Sequence, residues 1–344
     1  MNLYIALALC VVLGFAVSFG MGFVVIPWLH KLKFGQTILD IGPSWQKKKQ
    51  GTPTMGGILF IVAFIISLVA VLTTDKLMGG EILLSGTDKP RDVVYIKIFA
   101  GILMAVAFGF IGFIDDYIKV VKKRNLGLTE MQKTVLQFVV IICYLFTLYR
   151  AGVNYMFIPY LNGVWENSFV FWAVGIIAMY ATVNAVNFTD GVDGLCTSVN
   201  LVGCVGFAVV AFILRMSGLS IVCACLFGAL AGFLMWNRNP AKVFMGDMGS
   251  HFLGGLLIAF AYALDAPWLI IMIGVIHVVE FASDIIQIVY VKTHNGKRLF
   301  KMAPLHHHYE MSGWKENKIC TVFSIVTVIG CIAAAALCRF GRPM

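Results

Sequence analysis

The chain has 344 residues, 60% of them hydrophobic and only 12% charged, with a formal net charge of +9. Soluble domains are about a quarter charged and about half apolar, and they need a polar exterior. That composition excludes a water-soluble globular protein and makes the bilayer the solvent, in which backbone polar groups must be paired within helices or a closed barrel. A barrel would show short alternating segments, whereas the apolar runs here are continuous and near the length of a helical span.

Ten spans are expected, at about 3–29, 56–74, 95–114, 133–150, 169–187, 197–215, 218–236, 250–265, 268–292 and 319–338. The first run lacks a basic leader region and an A-x-A cleavage site, so it reads as a retained helix. The nine cysteines include no C-x-x-C pair, and most fall inside apolar runs, where Cys acts as a small hydrophobe. Alternate loops carry most of the loop charge: Lys31, Lys33 and Lys47–Lys49, then Lys119–Arg124, Arg238, Lys242, Lys297, Arg298, Lys301, Lys315 and Lys318. By the positive-inside rule these loops are cytoplasmic, and ten spans then place both termini outside. The expected architecture is an all-α polytopic membrane protein, one domain over 1–344, with its polar site in a cytoplasmic-side cleft. The basic charge also suits phosphorylated substrates or anionic membrane lipids.

The unusual polar residues fall in the basic loops. The first, GPSWQKKKQGTPTMGG, is Gly-rich and basic but lacks the G-K-[ST] ending of a P-loop; Lys49 and Thr54 could bind phosphate, or the loop could simply be solvated. The third span ends in FIDDYIK. Asp115 and Asp116 there oppose the helix dipole and repel each other, so a cation, either a metal or a nearby lysine such as Lys119, is expected beside them. In NAVNFTDGVDGL, Asn187, Asp190 and Asp193 recur every three residues, which would put them within one arc of a helix. Gly191 and Gly194 would let the backbone turn or approach a ligand closely, and the alternative is an Asx-rich turn capping two helices; the spacing is not that of an EF-hand.

NRNPAKVFMGDMGS holds Asn237, Asp247 and Ser250. The last two could cap the next span or its free N–H groups could hold phosphate, and Phe244 could stack on a base. The ninth span carries His277, Glu280, Asp284 and Gln287 in one stripe, which either lines a cavity or is hydrogen-bonded between helices. In KMAPLHHHYE, His306, His307 and His308 cannot all face one metal from regular structure. One or two contacting a phosphate or sugar is the better division, with Glu310 orienting one of them.

The strings GTPTMGG, FIDDYIK, NFTDGVDG, VFMGDMGS and APLHHHYE, in that order between apolar spans, closely resemble the phospho-N-acetylmuramoyl-pentapeptide-transferases of the polyprenyl-phosphate N-acetylhexosamine-1-phosphate transferase superfamily. The match runs from about Gly42 to Glu310. The resemblance implies a multi-pass enzyme of the bacterial plasma membrane, a homodimer dependent on Mg²⁺, with no nucleic-acid partner. It would move phospho-N-acetylmuramoyl-pentapeptide from its uridine diphosphate carrier to undecaprenyl phosphate, making lipid I and UMP for peptidoglycan. It further implies Asp115 and Asp116 as the paired carboxylates and Asp247, with Asp115, as metal ligands. Asn187, Asp190, Asp193, Asn237 and Phe244 would line the nucleotide pocket, with Lys49, Thr54, Lys119, Gln287 and Ala303 as further pocket positions. His306, His307 and His308 match the triple-histidine motif, the first two as catalytic candidates. Uridine nucleoside inhibitors of the tunicamycin type are expected in the same pocket. Trp45-Gln46 departs from the Ser-His of many members. The competing expectations are a transferase of N-acetylglucosamine-1-phosphate, against which PLHHHYE argues, and an ion-coupled transporter, which predicts acids at mid-membrane.

Overall fold

The computed structural model describes residues 1–31, 49, 51–121, 127–160 and 164–341, and these are overwhelmingly helical. In chain order they form α1 (Leu3–Lys31), α2 (Gly57–Leu77), a 3₁₀ turn (Ile82–Leu84), α3 (Arg91–Val121) and α4 (Glu130–Arg150). A small antiparallel hairpin follows, β1 (Tyr155–Phe157) with β2 (Val164–Glu166), pairing Met156 with Trp165. Then come α5 (Ser168–Thr189), α6 (Leu195–Ile213), α7 (Leu219–Asn237), α8 (Gly246–Ala263), α9 (Leu269–Ile273), α10 (Val275–Thr293), α11 (Leu305–Glu310) and α12 (Glu316–Phe340).

Eight of these, α1 to α7 and α12, are long and apolar enough to cross a membrane. The other two expected spans coincide with α8 and with the α9–α10 pair. α8 opens on Asp247 and carries His251, which lowers its hydropathy, but every residue from Gly249 to Ala263 is buried among other helices. A helix shielded in this way need not satisfy lipid. The span expected at 268–292 is interrupted. Gly274 leaves helical geometry after its N–H closes α9 on the Ile270 carbonyl, and α10 restarts behind it.

The core is built on α8, packed antiparallel against α3, and on α1 against α7. Large apolar side chains at Val24, Leu103, Ile177 and Ile332 stay exposed on the periphery, as lipid-facing positions require. The α3–α8 contact is close because of Gly112. A Cβ there would fall inside the van der Waals radius of the Asp247 carbonyl oxygen.

Two local devices aim side chains at the end of the bundle where α3 ends and α8 begins. The first is a capping box at the start of α4: Gln132 N–H donates to the Thr129 hydroxyl, and Thr129 N–H donates to the Gln132 side chain. That box fixes the next residue, Lys133. The second is Gly246, whose positive φ of 71° starts α8 and lays its first turn against Asp116 and Thr54.

Candidate active site

Three carboxylates converge where α3 ends and α8 begins. Asp115, Asp116 and Asp247 each offer an oxygen within 4.8 Å of the others. Asp115 and Asp116 are buried, because the last turns of α3 are covered by α8 and by the approach to α4. Lys119, one turn along α3, lies 2.6 Å from Asp115, 3.1 Å from Asp247 and 4.0 Å from Asp116. Lys133 donates to Asp247 at 2.9 Å and lies 3.4 Å from Asp115. The cation expected beside the paired acids is therefore supplied here by two lysines. Backbone groups complete the cradle: Leu128 N–H donates to Asp115 and Met248 N–H donates to Asp116.

This donor set fits a hard divalent cation, which takes carboxylate oxygens and retains waters. The lysine ammoniums occupy the same oxygens, so a cation entering the cluster would release them toward any anion bound alongside.

Asp247 lies inside the first turn of α8, and the N-cap is Met245 without a side-chain cap bond. The expected cap by Asp247 or Ser250 is thus absent. Ser250 instead donates to Asn187 at 3.1 Å, which joins α8 to α5. Nor do Asn187, Asp190 and Asp193 share a helical arc, because α5 ends at Thr189 and α6 starts at Leu195. Asp190 is the residue that ends α5, and Asp193 sits in the turn that follows. The glycines of this turn make continued helix unfavourable. Burial, aided by Asp247 and Asp193, pushes the Asp190 carboxyl up to about 7.

Asp193 is held from several sides. Lys49 donates to it at 2.6 Å, and Asn239 and the Ala241 N–H donate to its other oxygen. Glu316, at the start of α12, accepts from Lys49 at 2.8 Å and from the Asp193 N–H. Burial works against the Lys49 charge, but Asp193 and Glu316 outweigh it and hold the ammonium above its usual range. Asn237 accepts from Thr197 and donates to the Val243 carbonyl, so its amide shapes the loop. Half-buried Phe244 is tied by its backbone to Pro53 and Gly56, beside Thr54.

Three of the four stripe residues of α10, His277, Glu280 and Gln287, are hydrogen-bonded to other elements, and Asp284 is partly buried. His277 Nδ1 lies 2.9 Å from the Thr189 hydroxyl. Glu280 accepts from His306, and Gln287 spends its whole amide on the backbone of Leu299 and Phe300. Gln287 therefore shapes the 296–304 turn, its bonds among the described residues going to Leu299 and Phe300 rather than toward the carboxylates. His307 pairs with Glu310 at 2.6 Å, as expected of one histidine, while His308 accepts from Lys301 N–H. Ala303 is partly buried just before Pro304 and α11. Trp45, Gln46, Lys33, Lys47, Lys48, Lys122, Lys123 and Arg124 lie outside the described residues.

Sequence reasoning missed Lys133 and Glu316. Each is an ordinary first-turn charge at the start of an apolar run, and only the fold brings it to the acids.

The chain is similar to known proteins over nearly its whole length. Residues 98–265 match the model described as glycosyl transferase family 4, and residues 49–61 match signature 1 of phospho-N-acetylmuramoyl-pentapeptide-transferase. The transferase of that name from Clostridium kluyveri is 43% identical over 326 residues, covering 94% of this chain and 96% of the relative. Its namesake from Clostridium perfringens is 41% identical over 335 residues, 96% of this chain and 98% of the relative. That of Clostridium acetobutylicum is 42% identical over 325 residues, 94% and 96% respectively.

Proposed function

The chain belongs to the phospho-N-acetylmuramoyl-pentapeptide-transferase family, and from that premise we propose how its residues divide the work. It is a multi-pass bacterial membrane transferase that moves phospho-N-acetylmuramoyl-pentapeptide from UDP-N-acetylmuramoyl-pentapeptide to a polyprenyl phosphate, forming lipid I and UMP. Transfer of N-acetylglucosamine-1-phosphate and ion-coupled transport are set aside by the same relatives.

The carboxylate cluster of Asp115, Asp116 and Asp247, with Lys119 and Lys133 against it, is the observation that carries the site reading. These acids would hold one Mg²⁺, which when bound neutralises pyrophosphate charge and stabilises the departing UMP. Lys119 and Lys133 then turn to the phosphoryl oxygens. An oxygen of undecaprenyl phosphate attacks the sugar-bearing phosphorus. A new P–O bond forms, the bond to the bridging oxygen breaks, and UMP carries away the electron pair. A phosphate monoester is largely ionised near neutral pH, so Asp115 or Asp116 has little proton to remove, and their principal role is electrostatic. Asp190, Asp193, Asn187 and Asn237 shape the nucleotide side with Lys49 and Thr54, and Phe244 offers its ring to the uracil. His306 and His307 serve the phosphate or sugar end, while His308, Gln287 and Ala303 support the loop beside it.

Ten passes, with α9–α10 and α8 as the two less apolar ones, put every one of these residues at one end of the bundle. Lys31, Arg238, Lys242, Lys297, Arg298, Lys315 and Lys318 cluster at that end, which supports a cytoplasmic site and external termini. A homodimer of single-domain chains and inhibition by tunicamycin-type nucleosides complete the reading. Purified protein should release UMP only when Mg²⁺, the sugar nucleotide and undecaprenyl phosphate are all present. A labelled phospho-enzyme formed from sugar nucleotide alone would overturn direct attack in favour of a covalent aspartyl intermediate.

A further inference from the structure

Glu280 sits on α10 with no solvent exposure, and among the described residues its carboxylate is spent on His306 alone. Its Oε1 accepts the His306 N–H at 3.1 Å, and its Oε2 accepts from His306 Nδ1 at 2.9 Å. Both the start of α11 and the ring of its histidine are thereby fixed to α10. A carboxylate only accepts, so the bond requires the proton of His306 on Nδ1. The other ring nitrogen, Nε2, is then the exchangeable position, and it is fully buried without a hydrogen-bond partner among the described residues.

Nε2 faces the turn between α5 and α6. A Cβ on Gly191 would overlap it, so the missing side chain leaves the ring room against that turn. The φ of Gly191 does not lie in the left-handed region, unlike that of Gly194, so close approach rather than backbone conformation is what demands glycine here. The neighbouring ring of His307, with centroids 4.1 Å apart, limits rotation of His306 from its other side. An unpaired buried nitrogen locked this way is set up to receive a polar group that arrives with substrate.

We infer that Glu280 is a positioning residue for the transfer reaction. It acts through His306, whose tautomer and ring direction it fixes so that Nε2 meets substrate beside the Asp190–Asp193 turn. The inference rests on His306 belonging to the substrate site, and the two claims separate experimentally.

The test uses full-length protein in detergent with ¹⁵N-labelled histidine, the His306 signals being identified by their loss in His306→Gln. In the parent protein the ring should be a single Nδ1–H tautomer, and Nε2 should shift when the UDP-sugar is added with Mg²⁺. In Glu280→Gln, whose amide both donates and accepts, that single tautomer should be lost. Turnover number should fall at least about tenfold, with KM for the sugar nucleotide changed less, and Glu280→Asp should recover part of the rate. Gly191→Ala should give the same loss of rate with the tautomer retained. A Glu280→Gln enzyme that keeps both tautomer and turnover number, and loses only thermal stability, would reduce Glu280 to a structural role and overturn the inference. Full activity in His306→Gln would instead remove His306 from the site, whatever the tautomer shows.

Discussion

The antiparallel α3–α8 pair ends in an ionic cluster at both ends, and the two clusters differ in composition and access. At one end, three carboxylates, Asp115, Asp116 and Asp247, meet two ammoniums, those of Lys119 and Lys133. At the other, Lys89 and Lys97 share one carboxylate, Asp265, which follows α8, with the Tyr155 ring about 5.5 Å from the Lys97 ammonium. The first retains a surplus of negative charge and opens to solvent, since the side chains of Asp247 and Lys119 are 18% and 32% exposed. In the second the shared carboxylate is shut away, with Lys97 at 0% and Asp265 at 6%, and Lys89, at 30%, is the member that reaches solvent. An ionic cluster whose one carboxylate is buried with both oxygens taken ties elements together. One with surplus acid and a way in can exchange its lysines for a metal ion and an anionic substrate. On the proposed reading, the same helix pair would hold fastening at one end and chemistry at the other.

That contrast predicts opposite consequences for single changes. Asp247→Asn should lower UMP release by about three orders of magnitude or more, as expected when phosphoryl-transfer charge stabilisation is removed. Its thermal unfolding in detergent should stay close to that of the parent. Asp265→Asn should do the reverse. It leaves buried Lys97 without a counter-charge, at a stability cost of about 3–5 kcal/mol, while turnover of the folded fraction is kept. Loss of turnover in the folded Asp265→Asn protein would break the division. Lys133→Met should reduce turnover about 10²-fold, because one of the two ammoniums facing Asp247 is gone. A variant with unaltered kinetics would assign Lys133 to the fold alone. Gly112→Ala should cost about 1–3 kcal/mol by pushing α8 off α3, and should also raise the Mg²⁺ concentration needed for half-maximal rate. A change in stability with no change in that concentration would separate helix spacing from cation binding. Phe244→Ala should have the smallest effect, a sugar-nucleotide KM raised about tenfold with the fold intact.

The two clusters also differ in how far the sequence revealed them. FIDDYIK and VFMGDMGS carry their acids in dense polar strings against an apolar background, so Asp115, Asp116, Lys119 and Asp247 were legible as candidates. Lys133 and Glu316 were not, because each is a plain charged residue in the first turn of a helix. Their role arises from the packing of α4 and α12 on distant segments. Lys97 falls inside the span expected at 95–114, and its partner Asp265 lies 168 residues on, where local pattern gives no link.

Periodicity misled at Asn187, Asp190 and Asp193. Three-residue spacing fits a helix, but the other reading, an Asx-rich turn at Gly191 and Gly194 between two helices, is where the acids sit. The expected ninth span matches the extent of α9 and α10, but an apolar run shows its length and not the interruption at Gly274. The α10 stripe was recognised, but its hydrogen-bond partners, Thr189, His306 and the 299–300 backbone, come from elements that only tertiary structure brings near.

Binding of Mn²⁺, a spectroscopically visible substitute for Mg²⁺, tests the acidic cluster without relying on turnover. Electron paramagnetic resonance titration of the full chain with UDP-N-acetylmuramoyl-pentapeptide present should show one bound ion per chain. That ion should be lost in Asp247→Asn and retained in Asp265→Asn. Equal Mn²⁺ affinity in the parent and in Asp247→Asn would contradict the assignment of Asp115, Asp116 and Asp247 as the cation-dependent centre.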